Sequence, residues 1–192
     1  MPSYTFASCC WRALGNEGDD KCRLARTDDG WMLIGHARFR DEDGFAALDY
    51  VVRCDAQWDT LIADVAGDHE GRTIKIHIVR QGDVWLCNDV PQPEVSGARD
   101  IDLSFTPATN LMPLWKLSSL DAQEIAVCAA WLRYPEVTLQ RLDQSYQRTR
   151  FSSRFRYSAT QTGYKADLSV HNSGFVTLYP GLWEGEVTHA AP

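Results

Sequence analysis

Turn signals recur along the whole chain between short runs of alternating apolar and polar residues: Asp29-Gly30, Asp43-Gly44, Gly71, Gly82-Asp83, Gly97, Gly163 and Ser173-Gly174. Punctuation this frequent leaves little room for long helices and predicts an antiparallel β-meander. Before Asp43-Gly44, Ile34, His36, Arg38 and Arg40 alternate with Ala37 and Phe39; after it, Phe45, Ala47 and Val51 alternate with Leu48, Tyr50 and Val52, so the pair reads as a hairpin. Thr73 to Val79 is the clearest strand, with Ile74, Ile76 and Ile78 on one face, and Val84 to Cys87 returns beside it. Phe151 to Ser158, Tyr164 to His171 and Phe175 to Tyr179 are strand-like as well.

At 192 residues, with no Pro, Gly or Ser-rich linker, the chain reads as a single domain over 1–192. A chain of this size buries roughly 70% of its unfolded surface, so neither disulfides nor a structural metal is required for folding. Seven Trp, seven Tyr and seven Phe spread over the length place large flat side chains against a broad sheet. The net charge of −7 opposes general affinity for nucleic acid or anionic membranes. The start, MPSYTFASCCWRALG, lacks a cationic segment followed by an apolar run, and no stretch approaches a membrane span, so a cytoplasmic protein is expected. The six cysteines are irregularly placed, and most are expected to be reduced, buried and inert.

Two stretches are ambiguous. Ser118 to Leu132 has a helix-like Ser-x-x-Asp start and Ala-rich composition, yet Ile125, Val127, Ala129 and Trp131 share a face under strand alternation. A weak echo links Val51 to Leu61 with Leu168 to Leu178, each a strand, a polar turn, an aromatic and a closing Thr-Leu. An internal duplication and the chance likeness of two hairpins both account for it.

The most unusual stretch is Arg99 to Leu117. Ile101, Leu103 and Phe105 face one side of a strand and Asp100, Asp102 and Ser104 the other, before Thr106-Pro107-Ala108-Thr109-Asn110 makes a tight polar turn. Successive side chains on one strand face lie about 7 Å apart, within the range of inverting glycosidase carboxyl pairs. The competing reading is a solvated strand face whose hydroxyls and amides cap loop backbone.

Asp100-Ile-Asp-Leu, Phe105-Thr-Pro-Ala-Thr-Asn110 and Leu114-Trp-Lys-Leu117 together resemble the signature of the bacterial putative glycolipid-binding proteins, an uncharacterised family. Trp131-Leu-Arg-Tyr-Pro135, Gln144-Ser-Tyr146 and Tyr179-Pro-Gly-Leu182 resemble three further blocks of that family in the same order. With Trp11 and Tyr50 to Trp58, the likeness covers most of the chain. Two positions depart from the pattern: Ala108 stands where a Phe is usual, and Trp115-Lys116 where an Arg pair is usual. The resemblance implies an all-β fold, a long antiparallel meander curled into an open half-barrel or spiral β-roll, and makes Ser118 to Leu132 mostly strand. It also implies an amphiphilic ligand.

Gln144 to Tyr157 carries a second constellation. In an unbroken strand Arg148, Arg150, Arg154 and Arg156 share one face, and Phe151, Phe155 and Tyr157 the other. Such a row suits an anionic headgroup, or pairs with nearby acids on a solvated face. His36, His69, His77, His171 and His189 are scattered, without metal-ligand spacing, and no nucleophile elbow or phosphate loop occurs; no metal and no cofactor are expected.

The preferred expectation is a binding module whose concave face accepts a glycolipid or acyl conjugate. Asp100, Asp102, Thr106, Thr109 and Asn110 form its polar rim, and Tyr146 and Tyr179 stack on a sugar ring. The alternatives are a sugar-acting hydrolase or isomerase using Asp100 or Asp102 as general acid or base, and a protein-interaction module acting through the Arg-rich strand.

Overall fold

Alternation and turn chemistry produce the expected hairpin: β3 (Gly30–Asp41) and β4 (Gly44–Asp55) pair from Gly30 opposite Asp55 to Asp41 opposite Gly44. Leu33, Ala37, Phe39, Leu48, Tyr50 and Val52 point inward and are buried. The computed structural model describes residues 4–190, with side chains described for 5–188, so the side chain of His189 lies outside the described residues. β1 (Tyr4–Ala13) and β2 (Gly18–Arg26) precede the hairpin; β5 (Thr60–His69), β6 (Arg72–Gln81), β7 (Val84–Cys87) and β8 (Val90–Pro91) follow it, each beside the last. A second meander runs back through β10 (Glu124–Leu132), β11 (Leu139–Arg148), β12 (Arg154–Ala159), β13 (Tyr164–Val170), β14 (Val176–Tyr179) and β15 (Trp183–Ala190). β15 pairs antiparallel with β1, which joins the two meanders into one 15-stranded sheet. β9 (Asp100–Leu103) forms its last strand, parallel to β10, while every other pair is antiparallel.

The sheet curls without closing. β9 and the loop before it are tied to β5 and β7: Thr60 N–H donates to Arg99 O at 2.9 Å, Ile101 N–H to Thr60 Oγ1 at 3.2 Å, and Trp85 Nε1–H to Ala98 O at 2.9 Å. An open half-barrel lined with Trp, Tyr and Leu would expose a large apolar surface. The crossover between β9 and β10 covers it, as a parallel pair requires a connection long enough to pass across the sheet. That crossover contains α1 (Leu111–Ser119), in which five of the first seven side chains are buried. A helix apolar nearly all round must be enclosed, and Pro113 is tolerated because it sits in the first turn. Leu111 and Met112 pack with the residues under β1–β7, Leu114 and Leu117 with those under β10–β14. The concave side is thus filled by the chain's own residues, with the helix as a wedge between two halves.

Ser118 to Leu132 is mostly strand, as the family likeness implies, with the end of α1 at its start. The runs that echo each other form two hairpin connections, β4–β5 and β13–β14, and each turns a buried aromatic, Trp58 or Phe175, inward. The Arg row does not form. Thr149 Oγ1 accepts the Phe151 N–H at 3.1 Å and donates to Arg154 O at 2.9 Å, which breaks the strand into a turn at 149–153. Arg148 therefore ends β11 and Arg154 opens β12. All six cysteines are free thiols, and burial raises those of Cys9, Cys22 and Cys54.

Candidate functional site

In β2 the alternation that points Cys22 and Leu24 inward also buries Asp20. On β3, Gly35 pairs with Cys22 on one side and Tyr50 on the other; it has no side chain, and the Tyr50 ring lies over that position. The phenol thereby reaches across β3 and donates to Asp20 Oδ2 at 2.9 Å. Thr106 Oγ1 donates to the same carboxyl oxygen and accepts the Ala108 N–H at 3.0 Å, so the polar turn before α1 is fastened to the sheet. Asp20 Oδ1 has no hydrogen-bond partner among the described residues. Burial raises the carboxyl to about 6, with the Thr106 and Tyr50 bonds acting in the opposite direction.

A second polar network lies under the other half of the sheet. Gln144 Nε2 donates to Asp102 Oδ2 at 2.8 Å and to the Tyr157 hydroxyl at 3.1 Å. Tyr146 O–H donates to Gln144 Oε1 at 3.3 Å and accepts from Asn110 Nδ2 at 2.7 Å. Thr109 Oγ1 accepts the Leu103 N–H at 3.4 Å. Tyr179 packs edge-on to Tyr157 with centroids 5.5 Å apart. Burial pushes Asp102 up to about 6 against the Gln144 bond. Asp100, two residues earlier, instead meets Lys116 Nζ at 2.9 Å, which also reaches Asp59 at 2.9 Å. Burial raises Asp100 and Lys116 opposes it; burial lowers Lys116, and the two carboxylates outweigh that.

Asp100, Thr106, Thr109, Asn110, Tyr146 and Tyr179 are all buried, and Asp102 is partly so. The structure therefore places these candidates behind the molecular surface rather than around a rim, and the solvated-face reading of Asp100 fails. Asn110 and Tyr146 bond to each other, while Lys116, Gln144, Asp20 and the Leu103 N–H serve Asp100, Asp102, Thr106 and Thr109, inside a roll where unpaired groups are costly.

Asp100 borders a shallow cavity of about 290 Å³ with Asp59 and Lys116; a separate cleft of about 460 Å³ is walled by Phe39, Phe105, Tyr134, Leu182 and Trp183, with Asn16, Asp41 and Ser104 among its polar lining residues. That volume suits a small ligand. Phe39 and Phe105 stack with centroids 6.1 Å apart, and Tyr134 meets both edge-on. Tyr134 is fixed from two sides. Its N–H donates to Ser104 Oγ at 3.0 Å, and its hydroxyl lies 2.8 Å from Nδ1 of the buried His69, whose Nε2 lies 3.1 Å from Asp41 Oδ1. Burial and Asp41 push the Tyr134 phenol up to about 12, so it remains a neutral hydrogen-bonding group. Rigid aromatic walls and a carboxylate, hydroxyl and amide lining suit a sugar ring, whose C–H face stacks while its hydroxyls bond.

Sequence reading missed Asp20, His69 and the cleft. Asp20 had a visible signal, being an acid in phase with the apolar face of its strand. His69 had none, since its partners lie 28 and 65 residues away.

A family model described as Putative glycolipid-binding matches residues 8–185. A crystal structure of a DUF1089-family protein from Pseudomonas aeruginosa is similar, with 28% identity and a TM-score of 0.75 over 91% of this chain and 94% of that one. No curated protein matches the sequence. No helix among the described residues is long and apolar enough to cross a membrane.

Proposed function

The chain belongs to the Putative glycolipid-binding family, and from that premise we propose that it binds a glycolipid or related amphiphile in the aromatic cleft. One observation carries the reading: three separate family-like blocks converge there, through Phe105, Tyr134 and the Gly181-Leu182 pair. The sugar stacks on Tyr134 or Trp183 and bonds to Asn16, Asp41 and Ser104, and the alkyl chain runs along Phe39, Phe105 and Leu182. Each buried methylene contributes about 0.8 kcal/mol. Thr106, Thr109, Asn110, Tyr146 and Tyr179 act from behind, holding Phe105 and the turn after β14 in place. Asp100 and Asp102 fasten the strand that carries them.

Calorimetric titration with octyl glucoside below its micelle concentration tests this. One-to-one binding is expected, with glucose and octanol each weaker by about tenfold or more, and a further loss of about tenfold in Trp183→Ala. Equal binding of octanol, or an unaffected Trp183→Ala, contradicts the proposal.

A further inference from the structure

We propose that a second cavity, sharing no lining residue with the aromatic cleft, binds an oxyanion headgroup that carries a short apolar group. It lies between α1, the 149–153 turn and the turn linking β13 to β14. The last turn is pinned to the helix. Ser173 O accepts the Trp115 Nε1–H at 3.2 Å, and Gly174, at φ 88°, lets the indole approach so closely that a Cβ there would lie 2.5 Å from Nε1. About 230 Å³ remains between these elements. Its apolar floor is Leu114, Phe155 and Val170; Arg148, His171 and Ser152 stand on its polar side.

The donors are set for an anion. Arg148 gives its Nε–H to Ala122 O at 2.9 Å and lies 5.9 Å from the Phe155 ring centroid, so the guanidinium is anchored with one of its five N–H donors. His171 Nδ1 accepts the Ser173 N–H at 3.1 Å, which leaves the ring proton on Nε2. No Asp or Glu lines the cavity. Arg150 and Arg154 both stack on Phe151 in the same turn, at 4.8 and 5.6 Å, and keep this corner positive in a chain of net charge −7. The volume equals about eight waters at roughly 30 Å³ each, room for a headgroup and its first carbons rather than a whole lipid. The Arg-rich segment thus serves as a corner, not as the flat strand face its spacing predicts.

Titrating the full chain with hexyl phosphate, inorganic phosphate and hexanol tests the inference, read by calorimetry and by the ¹⁵N–¹H indole resonance of Trp115. Hexyl phosphate is expected to bind one-to-one and shift that resonance, with the other two probes weaker by about tenfold or more and a similar loss in Arg148→Gln. Should Arg148→Gln fail to fold, His171→Ala in the exposed turn supplies the reading, with a several-fold loss. Equal binding of inorganic phosphate or hexanol, an unmoved Trp115 resonance, or unchanged affinity in a folded variant overturns the inference. If phosphatidylcholine vesicles containing phosphatidic acid compete with hexyl phosphate, the natural source is a lipid headgroup. If they do not while hexyl phosphate still binds, it is a soluble ester. Octyl glucoside binding is unaffected by Arg148→Gln, which separates this site from the aromatic cleft.

Discussion

Asp20 and Asp102 are both enclosed by the roll and both raised to about 6 by burial, yet the two halves of the molecule treat them differently. Under the first meander, Asp20 has Tyr50 and Thr106 on one oxygen and leaves the other unsatisfied. Under the second, Asp102 belongs to a chain of amides and phenols through Gln144, Tyr157, Tyr146 and Asn110. Both acids fasten the same plug, residues 100–110, to the sheet. One fastening is a single half-satisfied carboxyl; the other is a distributed network. Asp100 shows a third solution, an ion pair with Lys116, whose ammonium it shares with Asp59.

The largest expected effect comes from removing that counter-charge. Lys116→Met leaves Asp100 buried and unpaired and is expected to cost about 3–5 kcal/mol in urea unfolding at pH 7. Asp20→Asn tests the single carboxyl. A raised native pKa means that the folded state holds its proton to higher pH than the unfolded chain. Wild-type stability therefore falls as pH rises from about 4 to 6, and stays lower above it. From the shift between 3.8 and about 6, the variant is expected to gain about 2.5 kcal/mol at pH 8 relative to pH 4. Unfolding midpoints at the two pH values provide the check, and an unchanged pH slope contradicts the assignment. Tyr146→Phe, which strips the Asn110 amide and Gln144 Oε1 of one partner, is expected to lose about 1–2 kcal/mol. Arg156→Ala, facing Asp167 across 3.7 Å on the exposed surface, is expected to change stability by less than about 0.5 kcal/mol.

What could be read from the sequence was whatever alternation and turn residues determine locally. The β3–β4 hairpin, the Ile74, Ile76 and Ile78 face and the return at Val84 follow that logic. α1 escaped it because Leu111 to Leu117 is apolar on nearly every side, a pattern that only the filled interior explains. The Arg row escaped it because one hydroxyl, Thr149, turns the chain where the spacing of side chains continues a strand. Asp100, Asp102, Thr106, Asn110 and Tyr146 stood out as unusual, but their burial and their division among three polar clusters were not visible in their order. The aromatic cleft draws on residues 39, 105, 134 and 183, whose proximity depends on the long-range curl of the sheet.

The aromatic cleft is the proposed seat of the amphiphile. Native mass spectrometry of the protein purified from a lipid-rich host addresses this most directly. A mass adduct of amphiphile size on the wild type, lost in Trp183→Ala and retained in Arg156→Ala, is the predicted result. A bare wild-type mass, or an adduct equally abundant in Trp183→Ala, contradicts it.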